Sequence, residues 1–270
     1  MKVPRRHFDY SALAGLGVAI AGLAGGFALE HGQTGDLVSL NSAVIVVGGT
    51  AGAVLLSTPG VILASAFRRC FAMLRRKVNE RQATVDAIVR YATLVRRVGV
   101  SSIESEVEAM PPGFLRRALL LVVDGIAPQE VRRQLENDLA SEEENAETDA
   151  RVFEQAGGYA PTIGIIGAVL GLIQVMRHLG NVDEVGRGIA AAFISTLYGV
   201  AFANLLLLPV AARMRLRTQT DIQLKEVILE GVTAISEGIG LHVVRTRLDV
   251  AHEYRQGLPV AAPKVARKSA

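Results

Sequence analysis

Four long stretches without a charged side chain most constrain how this chain can fold. They run from Tyr10 to Leu29, from Leu37 to Phe67, from Gln155 to Met176 and from Gly188 to Ala212. Each reaches the length of roughly 20 residues that a helix needs to cross a bilayer. Half of the 270 residues are hydrophobic and the mean hydropathy is +0.33, which is high for a soluble domain. We therefore predict an all-α integral membrane protein with four transmembrane helices.

The first stretch could instead belong to a signal peptide, because "MKVPRRHF" is a basic leader. Two features favour a span. The apolar segment exceeds the usual signal core of about 7 to 15 residues, and a second apolar segment follows it closely. Cys70 is the single cysteine, which excludes an intrachain disulfide.

Lys and Arg side chains cluster at three places, namely the N-terminus, the segment after the second stretch and the segment after the fourth. The connection "EHGQTGD" has none, and the connection between the third and fourth stretches has only Arg177 and Arg187. The positive-inside rule therefore predicts that both termini and the middle segment are cytoplasmic. This placement accounts for the basic balance without a nucleic-acid partner.

These features predict five regions. They are a hairpin of spans one and two (1–60), a helical cytoplasmic domain (61–154), a hairpin of spans three and four (155–212), a cytoplasmic helix (213–256) and a disordered tail (257–270). "TPG" at 58–60 is the expected break at the end of span two.

The middle segment shows helical periodicity. Apolar residues recur on one face of 81–100, which predicts an amphipathic helix ending near Gly99. "MPPG" (110–113) predicts a break, 114–126 a short buried helix, and Pro128 the first turn of a long helix leading into span three. After span four, the candidate packing residues are Ile222, Val227, Ile228, Val232 and Ile235.

Small residues form a stripe on each of the last two spans. In span three they are Gly164, Gly167, Ala168 and Gly171, and in span four Gly188, Ala192, Ser195, Gly199 and Ala203. Helices in lipid depend on such residues for close contact. The simplest interpretation is packing between the two spans of one chain, although packing against other helices fits the same pattern.

All four stretches lack Asp, Glu, Lys, Arg and His, whereas transporters and proton relays normally place at least one such residue inside the membrane. The polar groups of the last two spans are Thr162, Thr196, Tyr198 and Asn204. If the chain conducts protons, the titrating carboxylate must come from a partner.

"GGYAPTIGIIGAVLGLI" (157–173) followed by "GRGIAAAFISTLYGVAFANLLLLPVA" (186–211) resembles the paired spans of the MotA/TolQ/ExbB proton-channel family. The four predicted spans, the long middle segment and "ILEGVTAISEG" (228–238) resemble its MotA/PomA branch, the flagellar motor stator subunits. TolQ and ExbB relatives have three spans in a different order.

The resemblance implies roles for particular residues. Pro161 and Pro209 match two prolines with a conformational role. Thr196 matches a threonine that faces the ion pathway, with Thr162 nearby. Ala168 stands where sodium-driven relatives carry a second threonine, which favours H⁺ over Na⁺ as the coupling ion.

A second motif, "RRVGVSSIESE" (96–106), matches the family pattern of a basic residue, a glycine and a glutamate. The match falls on Arg96, Gly99 and Glu104, with Arg97 and Glu106 beside them. The resemblance implies that these charges contact the switch-ring protein of the flagellar rotor. A solvated helix face is the alternative interpretation of the same charges.

The resemblance also implies an assembly in the bacterial inner membrane. Five copies would surround two copies of a MotB/PomB-type partner, whose single span supplies the aspartate. The other interpretation kept open is a TolQ/ExbB-like energiser of another envelope process. Enzymes are disfavoured, because the chain lacks a P-loop, a His-Glu-x-x-His motif and a cysteine cluster, and no cofactor is expected.

Overall fold

The computed structural model describes residues 7–8, 10–29, 38–73, 75–76, 80–177 and 179–239. Within these ranges the regular secondary structure is helical apart from one short ladder, in which β1 (His7–Phe8) pairs antiparallel with β2 (Arg75–Arg76). The helices are α1 (Tyr10–Leu29), α2 (Leu40–Ser57), α3 (Gly60–Met73), α4 (Glu80–Val98), α5 (Glu104–Glu108), α6 (Phe114–Val123), α7 (Pro128–Arg177) and α8 (Val182–Ser236). The all-α prediction is confirmed for this part of the chain.

Three helices of the described ranges are long and apolar enough to cross a membrane, namely α2, α7 and α8. The helix α1 has 20 residues, but its apolar run, Leu13–Leu29, is shorter than the other three. Three candidate spans therefore follow from length and composition, and α1 as a fourth span stays a prediction.

The break between α2 and α3 lies at the predicted "TPG". Thr58 has an extended backbone (φ −130°, ψ 127°), because a residue before proline is disfavoured in the helical region. The Pro59 carbonyl then accepts from the amides of Ile62 and Leu63 and starts α3. The sequence prediction of a break is confirmed.

The helices of the middle segment follow the predicted limits. The helix α4 ends at Val98, and Gly99 has a positive φ of 101°, a conformation that favours glycine. Residues 109–113 separate α5 from α6, and Pro128 is the first residue of α7, where its missing amide hydrogen costs no helical bond. The helix α7 continues without a break into the predicted span three.

The described residues form two compact units. We call residues 80–143 and 219–239 the amphipathic unit, and the described residues of 5–78 and 144–218 the span unit. The predicted limits of the cytoplasmic domain, 61 and 154, mark where the chain is expected to leave and enter the membrane. The two units are instead defined by which residues pack together. The predicted helix 213–256 is helical to Ser236, and its part beyond 239, like the tail 257–270, lies outside the described residues.

The amphipathic unit has a core of large aliphatic side chains. Ile88, Ile103, Leu119, Leu135 and Val232 are all fully buried. The candidate packing residues after span four, Ile222, Val227, Ile228, Val232 and Ile235, all belong to this core. The helical periodicity of the sequence therefore identified core residues both in the middle segment and in the helix after span four.

The span unit has a smaller-residue core that includes Ala66, Ala150, Ala160, Ala203 and Ala211. A carboxylate lies beside it, because the Asp149 side chain is only 5% exposed. Arg69 Nε donates to Asp149 Oδ2 at 2.8 Å, and the Ser65 hydroxyl donates to the other oxygen. This pairing compensates the buried charge.

Candidate ion pathway and charged loop

Glycines bring the helices α7 and α8 into backbone contact within the span unit. A Cβ on Gly199 would lie 2.5 Å from the Ala160 carbonyl oxygen and 3.2 Å from Pro161 Cα. A Cβ on Gly164 would lie 2.9 Å from the Ser195 carbonyl oxygen. Real Cβ atoms do not approach backbone atoms so closely, so both positions need glycine for this spacing.

The same stripe continues along α7. The Cβ of a residue replacing Gly167 would overlap Ser195 Oγ, and one replacing Gly171 would lie 3.2 Å from Ala192 Cβ. Gly188 faces Val175 in the same way. The small residues of the two helices therefore face one another within one chain.

The two threonines of the predicted pathway are placed differently. Thr162 is exposed and its Oγ1 donates to the Tyr159 carbonyl at 2.8 Å. Thr196 is half-buried, with its Oγ1 3.4 Å from the Ala192 carbonyl. Both hydroxyls thus donate to their own helices, as threonine often does. Gly164 lies beside Thr196, since a Cβ on Gly164 would be 3.3 Å from Thr196 Cα. Ala168 lies one turn further along α7 and is half-buried.

Pro161 and Pro209 are both inside helices. Pro161 lies in the interior of α7, away from both of its ends, and it lies against Gly199 of α8. Pro209 lacks an amide hydrogen and so cannot donate to the carbonyl four residues earlier. Each proline removes one backbone hydrogen bond from its helix, which makes these the natural bending points of α7 and α8.

A π-helical turn, Ala203–Leu207, precedes Pro209. The Leu208 amide donates to the Ala203 carbonyl, five residues earlier, and the Asn204 side-chain amide donates to the Val200 carbonyl at 2.9 Å. A second π turn, Val44–Gly48, lies in α2. Sequence reasoning missed both turns, and only the turn in α8 had local signals, which were Pro209 and the polar Asn204. Such turns are frequent at functional sites.

An arginine network joins α7 and α8 beyond the two prolines, and sequence reasoning did not predict it. Arg215 donates to both carboxylate oxygens of Glu147, at 2.9 Å and 2.8 Å, and to Glu154 at 2.5 Å. Hydrogen bonds from Arg215 lower the pKa of both glutamates and raise the pKa of Arg215 itself. A bidentate arginine pair fixes the orientation of both partners.

The charged loop lies in the amphipathic unit. Arg96 and Arg97 are exposed in the last turn of α4, and Glu104 is exposed as the first residue of α5. The turn Val100–Ile103 connects them. Arg96, Arg97 and Glu104 of the predicted motif therefore lie on one exposed loop, which we call the charged loop.

Glu106 differs from the other three charges of the motif. Its Oε1 accepts from Arg90 Nη2 at 2.6 Å and from the Tyr91 hydroxyl at 3.1 Å. Neither Arg90 nor Tyr91 was singled out from the sequence, because a pair sixteen residues apart leaves no local pattern.

Comparisons with known proteins give the following matches. Residues 106–227 match the MotA/TolQ/ExbB proton channel family, and residues 13–101 match the motility protein A N-terminal family. The chain is 30% identical to a motility protein A of Bacillus subtilis over 89% of both chains. It is similar to a chain of the C. jejuni MotAB structure, with a TM-score of 0.85, 25% identity and coverage of 96% of this chain and 99% of that one. A chain of the flagellar MotAB stator complex from Bacillus subtilis gives a TM-score of 0.82 at 28% identity, covering 92% and 99%.

Proposed function

The chain belongs to the MotA/TolQ/ExbB proton channel family, and we propose on this premise that it couples proton flow across the membrane to torque on the flagellar rotor. It is a flagellar motor stator subunit of the motility protein A branch. The observation that carries this function is the likeness, over nearly the whole chain, to subunits of MotAB stator complexes.

A single-span partner of the MotB/PomB type supplies the acidic group of the channel. The four apolar stretches of this chain contain no Asp, Glu, Lys, Arg or His, so a proton crossing between them needs a carboxylate from elsewhere. The partner's aspartate fills that requirement.

The chain works as a ring of five copies around two copies of the partner. Support comes from the apolar side chains that the span unit leaves exposed on α7 and α8. Phe193 is 74% exposed, and Ile165 and Ile166 are more than half exposed. Lipid and neighbouring copies would cover these side chains in the inner membrane, with the termini and the middle segment in the cytoplasm.

The coupling step begins when the partner's aspartate is protonated beside Thr196 and Thr162. Bending at Pro161 and Pro209 then turns the ring. One proton crossing about 150 mV supplies about 3.5 kcal/mol of electrical work, which shifts a two-state equilibrium roughly 400-fold. Ala168, where a hydroxyl would assist a sodium ion, favours H⁺ as the coupling ion.

Torque leaves the subunit through the charged loop. Arg96, Arg97 and Glu104 present both signs of charge on an exposed turn, which suits alternating attraction to a charged rotor surface. The partner there is the rotor's switch-ring protein. A TolQ/ExbB-like role in another envelope process is not favoured, because the similar proteins are motility proteins.

The test uses a strain that lacks every other stator gene set. Deleting this gene should leave the filament number unchanged and stop rotation of tethered cells, and the intact gene should restore it. Arg96→Glu and Glu104→Lys should reduce torque while the protein remains in the membrane. Glu143→Lys, at an exposed site outside the loop sequence, is the matched control and should rotate normally. Normal rotation in the deletion strain would overturn the proposal.

A further inference from the structure

Glu106 lies next to the charged loop but is bound within its own chain. Its side chain is 44% exposed, and that of Arg90 is 54% exposed. Their shortest N···O distance is 2.6 Å, which is a close charge-assisted contact. The negative charge of Glu106 is therefore compensated by a cation of its own chain, Arg90 of α4, although the carboxylate is partly exposed.

Tyr91 makes this arrangement a three-residue network. Arg90 Nη2 also donates to the Tyr91 hydroxyl oxygen at 2.8 Å, and the Arg90 guanidinium lies 4.7 Å from the centre of the Tyr91 ring. Tyr91 is only 1% exposed, and burial raises the pKa of its phenol. A buried hydroxyl needs a hydrogen-bond acceptor, and Glu106 provides it.

The network joins the two helices that carry the charged loop. Arg90 and Tyr91 belong to α4, which ends with Arg96 and Arg97, whereas Glu106 belongs to α5, which begins with Glu104. Below the loop, Ile103 and Val107 are fully buried in the core of the unit. The distance between the exposed basic and acidic groups thus depends on how α5 is held against α4.

We propose that Glu106 is a positioning residue, which holds Glu104 in register with Arg96 through its bonds to Arg90 and Tyr91, and that it does not itself contact the rotor. This inference rests on the proposed function, because it concerns the torque surface of a stator subunit. Glu106 Oε1 accepts from both Arg90 and Tyr91, so a rotor contact that drew this oxygen away would leave the Tyr91 hydroxyl buried without its acceptor, which is unfavourable.

The experiment is a charge swap in the full chain, expressed with its partner in the stator-free strain. Torque per stator unit is measured as the speed step of a bead on the motor when one unit joins. Glu106→Arg should lower this speed step by about threefold. That factor corresponds to the low end of the interaction free energies between residues of one network. Adding Arg90→Glu should restore at least half of the loss, whereas reversing a basic rotor charge should not.

Glu104→Lys is the matched control, with the opposite pattern of rescue. The loss of torque in Glu104→Lys should be corrected by reversal of a rotor charge and not by Arg90→Glu. Tyr91→Phe, which removes one hydrogen bond and preserves the ring, should lower the step less than Glu106→Arg does. The number of units that join the motor should stay unchanged in each variant, which separates positioning from a folding defect.

Rescue of Glu106→Arg by the rotor reversal, or no rescue by Arg90→Glu, would overturn the inference and leave the stator function intact. Rotation in the stator-free strain without this gene would overturn the function itself. The two failures are therefore distinguishable in one set of strains.

Discussion

In the span unit, Gly164 and Gly199 bring the backbones of α7 and α8 into contact, whereas in the amphipathic unit the helices meet through side chains as large as Leu119 and Tyr91. The difference follows from the surroundings each unit is built for. Water drives large apolar side chains together, but lipid does not, so helices in lipid associate through close backbone packing. The same chain therefore uses two kinds of helix contact, and each should fail in a different way.

The largest effect should come from a cavity in the amphipathic unit. Leu135 is fully buried, and Leu135→Ala should cost about 2 to 5 kcal/mol of unfolding free energy. Hydrogen exchange of the detergent-solubilised protein should then rise in 80–143 and 219–239 and change little in the span unit. Leu216→Ala, at a site 65% exposed, is the control and should leave exchange of the amphipathic unit unchanged. An equal rise in both units would show that they do not unfold separately.

Adding one methyl group should break the contact of the span unit. Gly199→Ala places a Cβ against the Ala160 carbonyl, and overpacking of this kind costs about 1 to 3 kcal/mol. We expect reduced rotation and faster exchange in α7 and α8. Gly158→Ala is the matched control, because a Cβ there meets nothing within 4 Å, and it should be neutral or slightly stabilising. A similar loss in both variants would contradict the role assigned to the glycine contact.

The smallest effect concerns the arginine network of the span unit. Folding lowers the pKa of Glu147 and Glu154 below the ordinary value of 4.5, so their pairing with Arg215 stabilises the unit above that pH. The stabilisation is lost as the pH falls through the lowered pKa values. Because all three side chains are about a third exposed or more, the effect should stay below about 1 kcal/mol.

Arg215→Met should therefore flatten the acid dependence of unfolding measured between neutral pH and the acid transition of the protein. Arg133→Met removes an exposed arginine whose partner Glu130 lies in the other unit, so as the control it should leave the acid dependence of the span unit unchanged. An unchanged acid dependence of the span unit in Arg215→Met would show that the network does not contribute to it.

The helix limits could be predicted because each has a local cause. The positive φ of Gly99, the extended Thr58 before Pro59 and the first-turn Pro128 are each encoded within a few residues. The apolar face of α4 and the small-residue stripes of α7 and α8 are equally local, since a helical period of 3.6 residues places them on one side.

The networks could not be predicted because they join residues far apart in sequence. Arg215 meets Glu147 across 68 positions, and Glu106 meets Arg90 across 16. The charges of a helix face have no preferred partner until the helices are packed. From the sequence, Glu106 is therefore interpreted as one more exposed charge of the motif. The π turn before Pro209 was missed for a related reason, because one extra residue in a turn leaves the composition of the helix unchanged.

The most direct test of proton-coupled torque is the rotation speed of tethered cells in the stator-free strain carrying this gene and its partner. Speed would be followed while a protonophore collapses the proton gradient, and separately while sodium is removed at constant pH. The account predicts that rotation needs the gene, stops with the protonophore and is unchanged without sodium. Rotation that persists after the proton gradient collapses, or that does not need the gene, would contradict it.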